Sequence, residues 1–173
     1  MNENVLFQQM EFIRLRTLAF LDATTEEQAD EMPDGFRNSI RWNLGHILLT
    51  HENLLYSFLG EQEKKKIPED FGNLFGFHTS PLTWKENNLT PPSLLVLRNL
   101  LEDQPERFKA VFSGRLDEQG EKPFNLGSVT LTSLADVFAF ANWHEGLHQG
   151  NITTIKRVQG IENLFEKAEE KIN

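Results

Sequence analysis

The segment Leu134-Ala135-Asp136-Val137-Phe138-Ala139-Phe140-Ala141-Asn142-Trp143-His144-Glu145-Gly146-Leu147-His148-Gln149-Gly150-Asn151-Ile152-Thr153-Thr154-Ile155 decides how the chain is read. Leu134, Val137, Ala141, His144, His148, Ile152 and Ile155 follow one another at steps of three or four, which describes one face of an amphipathic helix. The helix is predicted from near Thr132 to about Val158, with Gly160 as its cap. A spacing of four sets the imidazoles of His144 and His148 one above the other, on the face that should enter the core. A single buried neutral histidine bonded to a polar neighbour needs no special explanation. Two adjacent imidazoles in a helical core must satisfy their nitrogens without water, and a divalent cation solves both problems together.

A pair of histidines is too few ligands for a tight site, since zinc usually takes three protein ligands. Among His46, His51 and His78, His46 is the best third donor: it follows Trp42 by one turn and lies on the mixed side of its helix, with Asn53 and Tyr56. His51 projects into the apolar side as a core or interface residue, and His78 falls in a connection where either role is open. His144-Glu145-Gly146-Leu147-His148 also satisfies HExxH, the zinc-peptidase motif in which Glu145 would be the general base. Its surroundings argue otherwise. Gly146 weakens the helix, no His or Glu third ligand stands at a familiar short spacing downstream except Glu166 and Glu169 in a charged tail, and no strand edge is predicted to hold an extended peptide.

Outward from this segment, three more long helical patterns emerge. Residues 3–23 carry Val5, Leu6, Phe12, Ile13, Ala19 and Phe20 at helical steps, and Thr24 with Glu27 has the spacing of a capping box for a short helix over 25–31. Pro33, Asp34 and Gly35 then make a turn. The second long helix starts near Ser39 and stops at Gly60. It is apolar on two sides, with Ile40, Leu44, Ile47, Leu54, Leu55 and Phe58 on one and Trp42, Leu49 and Tyr56 on the other, so both should be covered. Residues 60–90 form a connection too rich in Phe71, Phe75, Phe77 and Trp84 to be a disordered linker. The third long helix opens with Thr90, Pro91 and Pro92, keeps its phase across Pro105 as one kinked helix, and ends at Gly114. Residues 115–129 read as a loop, and no convincing strand alternation is present. These patterns predict one all-α domain over residues 1–173, a four-helix bundle with a long connection between its second and third long helices.

Composition narrows the chemistry. The 173 residues include 17 Lys plus Arg against 26 Asp plus Glu, a net charge of −9, which argues against binding nucleic acid through its phosphates. Lys64, Lys65 and Lys66 are the only basic run and read as a solvated helix end. The chain has no Cys, which removes disulfides, thiolate nucleophiles and sulfur-ligated metals and leaves His, Asp and Glu as donors. With no run of 18 apolar residues and no basic, apolar leader, no membrane association is expected and a cytoplasmic protein is the default.

The stretches Ile40-Arg41-Trp42-Asn43-Leu44-Gly45-His46-Ile47, Leu126-Gly127-Ser128-Val129-Thr130-Leu131 and His144-Glu145-Gly146-Leu147-His148-Gln149-Gly150-Asn151 together resemble the DinB/YfiT-like superfamily of metal-binding four-helix bundles. The resemblance covers nearly the whole chain; Asn151 departs from it, standing where Gln is more common. It implies a divalent metal, nickel or zinc, held by His46, His144 and His148 with coordination positions left open. It further implies a homodimer, and activity on small molecules: transfer of a low-molecular-weight thiol of the bacillithiol type to electrophiles, related isomerisation, or hydrolysis. Such chemistry suits the donor set, because a metal with vacant positions can bind a thiol as thiolate or activate water. Glu145 projects roughly 100° away from His144, and is either a base near the metal or a carboxylate at the helix surface or an interface. Asn53, Tyr56 and Asn151 are weaker pocket residues, and Trp42 reads as core.

Overall fold

Each long helix begins where a short polar side chain replaces a missing helical partner. In a computed structural model that describes residues 2–166, Asn2 caps α1 (Glu3–Asp22), Ser39 caps α3 (Ile40–Phe58), Ser93 caps α6 (Leu94–Phe112) and Ser133 caps α7 (Leu134–Val158). Three short α-helices, α2 (Glu26–Asp30), α4 (Phe71–Phe75) and α5 (Pro81–Glu86), and one 3-10 turn (Gln62–Lys64) lie in the connections. The capping box of α2 is formed by Thr25 and Gln28, one residue beyond the expected Thr24 and Glu27, because the Thr24 hydroxyl instead donates back to the Phe20 carbonyl. Pro91 and Pro92 precede α6 rather than sitting in its first turn, since Ser93 supplies the cap. Pro105 lies inside α6, which stays one helix as its phase predicted.

The expected loop over 115–129 is corrected by a hairpin. Strand β1 (Gln119–Leu126) pairs antiparallel with β2 (Val129–Ser133), so the chain is predominantly helical with a small two-stranded sheet rather than purely helical. Leu126 faces Val129 across the two-residue turn Gly127-Ser128, where Gly127 has φ +61°, a conformation that glycine adopts without steric cost. The register slips between Gln119 and Phe124, around Pro123, which cannot donate to the ladder. Phe124 packs edge-on against Phe140 of α7, which holds the hairpin to that helix. The last helix accordingly starts at Leu134, after the strand, and not near Thr132.

Helix α1 packs on α6 and α7, and α3 packs on the same two, so each long helix has two long neighbours. Both sides of α3 are covered within the chain: Trp42 and Leu49 enter one apolar cluster with Phe75, Trp84, Leu97, Leu101 and Ile152, while Tyr56 enters a second with Phe108, Phe112 and Phe138. Along all four long helices the residues between these clusters are polar. Arg14, Thr17, His51, Glu52, Gln104, Glu145 and Gln149 are buried there. Arg14 donates to both Glu145 oxygens (2.9 and 3.0 Å), to the Leu101 carbonyl and to Gln104, which in turn donates to Glu52 (2.9 Å) and the Leu48 carbonyl. A charged layer of this kind tolerates burial because its charges are paired, Arg14 with Glu145 and Glu52 with Arg107 (2.6 Å), while His51 Nε2 is left without a hydrogen-bond partner. Among the described residues, no helix is long and apolar enough to cross a membrane.

Candidate metal centre

His46 comes from α3, and His144 and His148 from α7; one nitrogen from each lies within 4.8 Å of the other two. The Nε2 atoms of His144 and His148 are 3.2 Å apart. Their neighbours fix which nitrogens face inward. His46 Nδ1 is 2.7 Å from the Phe75 carbonyl, which can only accept, so Nδ1 carries the proton and Nε2 presents a lone pair. His148 Nδ1 is 2.7 Å from Asn43 Oδ1. The Asn43 amide is oriented by its own Nδ2, which donates to the Ser39 carbonyl at 2.8 Å, so its oxygen must face the histidine. His148 therefore also protonates Nδ1 and turns a lone pair inward. Such outer partners set the tautomer and aim of metal-binding histidines.

Local sequence explains this placement. Ser39 starts α3 and thereby positions Asn43 on its first turn and His46 on its second. At Gly45 a Cβ would overlap the Phe75 ring, so glycine lets α4 approach closely enough for the Phe75 carbonyl to reach His46. Trp42 stacks on the His46 ring (4.5 Å between centroids, 13° between planes) and donates from its indole nitrogen to Thr79. It is buried, as expected for a core residue, and it supports a ligand as well.

The three rings resist protonation. Burial, and secondly the neighbouring imidazoles, push His144 down to about 4 and His148 down to about 3. Burial also lowers His46, against its bond to Phe75. The cluster therefore stays neutral near pH 7 with converging lone pairs, an arrangement that a divalent cation fits and a proton does not. His46 and His148 are buried and His144 half-buried, with the exposed side chains of Trp143 and Leu147 beside it, so the open side of the cluster is at His144. The buried Nδ1 of His144 has no partner.

Glu145 is not in this cluster. Its carboxylate is buried against Arg14 and accepts from the Thr17 hydroxyl at 2.6 Å, neither at the surface nor beside the imidazoles. Burial alone would raise it, but Arg14, with His51 and the Thr17 hydrogen bond, holds it below the ordinary carboxylate range. His51 is a core residue, its Nδ1 bonded to the Ile47 carbonyl and its Nε2 3.6 Å from Glu145. Asn53 accepts from Lys65, and Tyr56 sits in the second apolar cluster, so neither reaches the three histidines. His78 is exposed beside Phe77. Glu166 accepts from Asn163, while Glu169 lies outside the described residues.

Sequence reasoning missed Asn43, Phe75 and Thr50, whose hydroxyl is 3.2 Å from His46 Nε2. For Asn43 a signal existed: it lies three residues before His46, on the same side of α3. A comparison with curated proteins finds no match. A family model described as the DinB superfamily matches residues 9–152, a span that contains all three histidines, the whole of α3 and α7 as far as Ile152, and the chain belongs to the DinB superfamily.

Proposed function

We propose that this protein is a DinB-type four-helix bundle that uses a divalent metal, nickel or zinc, to transfer a low-molecular-weight thiol of the bacillithiol type to a small electrophile, or to run a related hydrolysis. The observation that carries this reading is the inward convergence of imidazole nitrogens from His46, His144 and His148, two of them locked as lone pairs by Phe75 and Asn43. With vacant positions, the bound metal would supply a Lewis acid that makes an incoming thiol or water a better nucleophile at neutral pH. The protein's own part is to hold three imidazoles in one protonation state and to keep the His144 side open. With no Cys in the chain, any sulfur at the centre arrives on a substrate or cofactor. A cytoplasmic homodimer is part of the same reading.

The peptidase alternative lacks its base, because the Glu145 carboxylate is spent on Arg14 and Thr17. A non-catalytic metal-binding bundle is separated by experiment. Untagged protein should contain about one equivalent of transition metal, as expected of a three-ligand centre, and His144→Ala should remove it. A metal content below about half an equivalent that is unchanged by His144→Ala would sink the ligand assignment. Loaded protein should then couple cellular thiols to a reactive electrophile. Destabilisation on chelation with no turnover across a thiol and electrophile panel would leave the metal a structural role only.

A further inference from the structure

On α3, Thr50 follows His46 by four residues, so the two side chains share one face of the helix. A threonine on a helix or just beyond its end commonly donates its hydroxyl to the carbonyl four residues back, as Thr154 does to Gly150 (2.9 Å) and Thr24 to Phe20 (2.6 Å). Thr50 does not. Among the described residues its hydroxyl has one partner, the Nε2 of His46 at 3.2 Å. The Phe75 carbonyl keeps the His46 proton on Nδ1, so Nε2 can only accept and the Thr50 hydroxyl donates to it. The lone pair it meets is the one that His46 turns toward the other two histidines.

We propose that Thr50 binds the small anion that shares the centre with the three imidazoles, by donating its hydroxyl hydrogen bond to the anion's coordinating atom. The inference deepens the proposed function and rests on its metal. Once the His46 lone pair is given to an ion, the Thr50 proton loses its acceptor and needs another close by. An anion whose coordinating atom keeps a spare lone pair, such as a thiolate or hydroxide, supplies one, whereas a neutral ligand without a spare lone pair, such as imidazole, does not. A hydrogen bond to a charged partner is about twice as strong as a neutral one, which favours the anion over the His46 carbonyl as the new acceptor. No carboxylate at the cluster opposes an anion among the described residues: Glu145, beside His144 in sequence, is turned to Arg14 and Thr17. Thr50 and His144 are half-buried, whereas His46 and His148 are buried, so a small ligand from solvent has access to both.

The test loads full-length protein, wild type and variants, with cobalt(II) and titrates it with azide and, separately, with imidazole, each read from the visible spectrum. Thr50→Val keeps the branched shape and removes the donor. It should weaken azide about tenfold or more, the worth of one hydrogen bond to a charged group, and leave the affinities for imidazole and cobalt unchanged. Thr50→Ser keeps the donor and should hold azide near the wild-type value. In metal-free protein, Thr50→Val should also move the nitrogen-15 resonance of His46 Nε2, because that atom loses its donor. Equal azide affinity in Thr50→Val, an equal loss for imidazole, no rescue by Thr50→Ser, or an unmoved His46 resonance would overturn the assignment of Thr50 and leave the metal centre standing. A cobalt spectrum unchanged by His46→Ala would instead remove the proposed function, and this inference with it.

Discussion

His144 and Glu145 are neighbours in sequence and opposites in environment. Glu145, turned toward α1, receives three hydrogen bonds from Arg14 and Thr17 and is fully buried. His144, turned toward α3, has one buried nitrogen with no partner and another aimed at the lone pair of His148. One face of α7 is thus closed and complete, and the next is left electronically incomplete around a single point. Satisfied polar groups in a core fix its packing, whereas an unsatisfied set persists where something else completes it. The HExxH pattern spans both faces: its two histidines group with His46, and its glutamate is bonded to Arg14 and Thr17.

The closed face should give the largest effect when broken. Glu145→Gln keeps the shape and removes the charge, leaving the Arg14 guanidinium buried without its counterion. Loss of one member of a buried pair costs about 3–5 kcal/mol, and denaturant unfolding should show a loss of that size. Metal content per folded molecule should be unchanged. A stability loss under about 1 kcal/mol, the level of an exposed pair, would mean that the polar layer does not hold the four long helices together.

The open face should respond in the reverse sense. His148→Ala should cut metal affinity by more than the roughly 10- to 100-fold typical of losing an outer-shell partner, with little loss of stability in chelated protein. It should also flatten the acid side of the stability profile. Because His144 is held at about 4 and His148 at about 3, below the ordinary 6.5, the unfolded chain takes up protons on these rings first. Metal-free protein should therefore be most stable above that ordinary value and lose stability as pH falls from it toward the folded values. His148→Ala should make this decline shallower, read from urea midpoints across the range. An identical slope would show that the rings do not bear the proposed burden.

The two faces were not equally legible in the sequence. His144 and His148 announced themselves because a four-residue spacing and an apolar stripe are both local facts, and the starts of α3 and α6 could be placed because Ser39, Pro91 and Pro92 are local signals too, though the last two stand before the helix. The role of Glu145 was hidden, since it depends on Arg14, 131 residues away, arriving from α1. The hairpin escaped for a related reason. Its register slip around Pro123 breaks the alternation that marks a strand, and only the Gly127-Ser128 turn, flanked by Leu126 and Val129, spoke for it. Local periodicity is written along the chain; a partner on another helix is not.

Asn43 joins what could be read and what could not, and it gives the smallest and most diagnostic of the expected effects. Its position on α3 follows from the Ser39 cap, but its task appears only once α7 brings His148 within 2.7 Å. Asn43→Ala leaves all three imidazoles in the chain and frees the His148 ring to rotate or change tautomer. Affinity for metal, measured by competition with a chelator, should fall about 10- to 100-fold, the usual consequence of removing such a partner. Asn43→Asp should restore most of the affinity, because a carboxylate accepts the same Nδ1–H and makes the ring a stronger donor, whereas a residue needed only for packing would not be rescued by a buried charge. The visible spectrum of the cobalt-substituted protein separates the two cases further: a ligand field altered in Asn43→Ala and recovered in Asn43→Asp ties the asparagine to the aim of His148. An unaltered field in both, with unaltered affinity, would mean that His148 is aimed by the backbone of α7 alone.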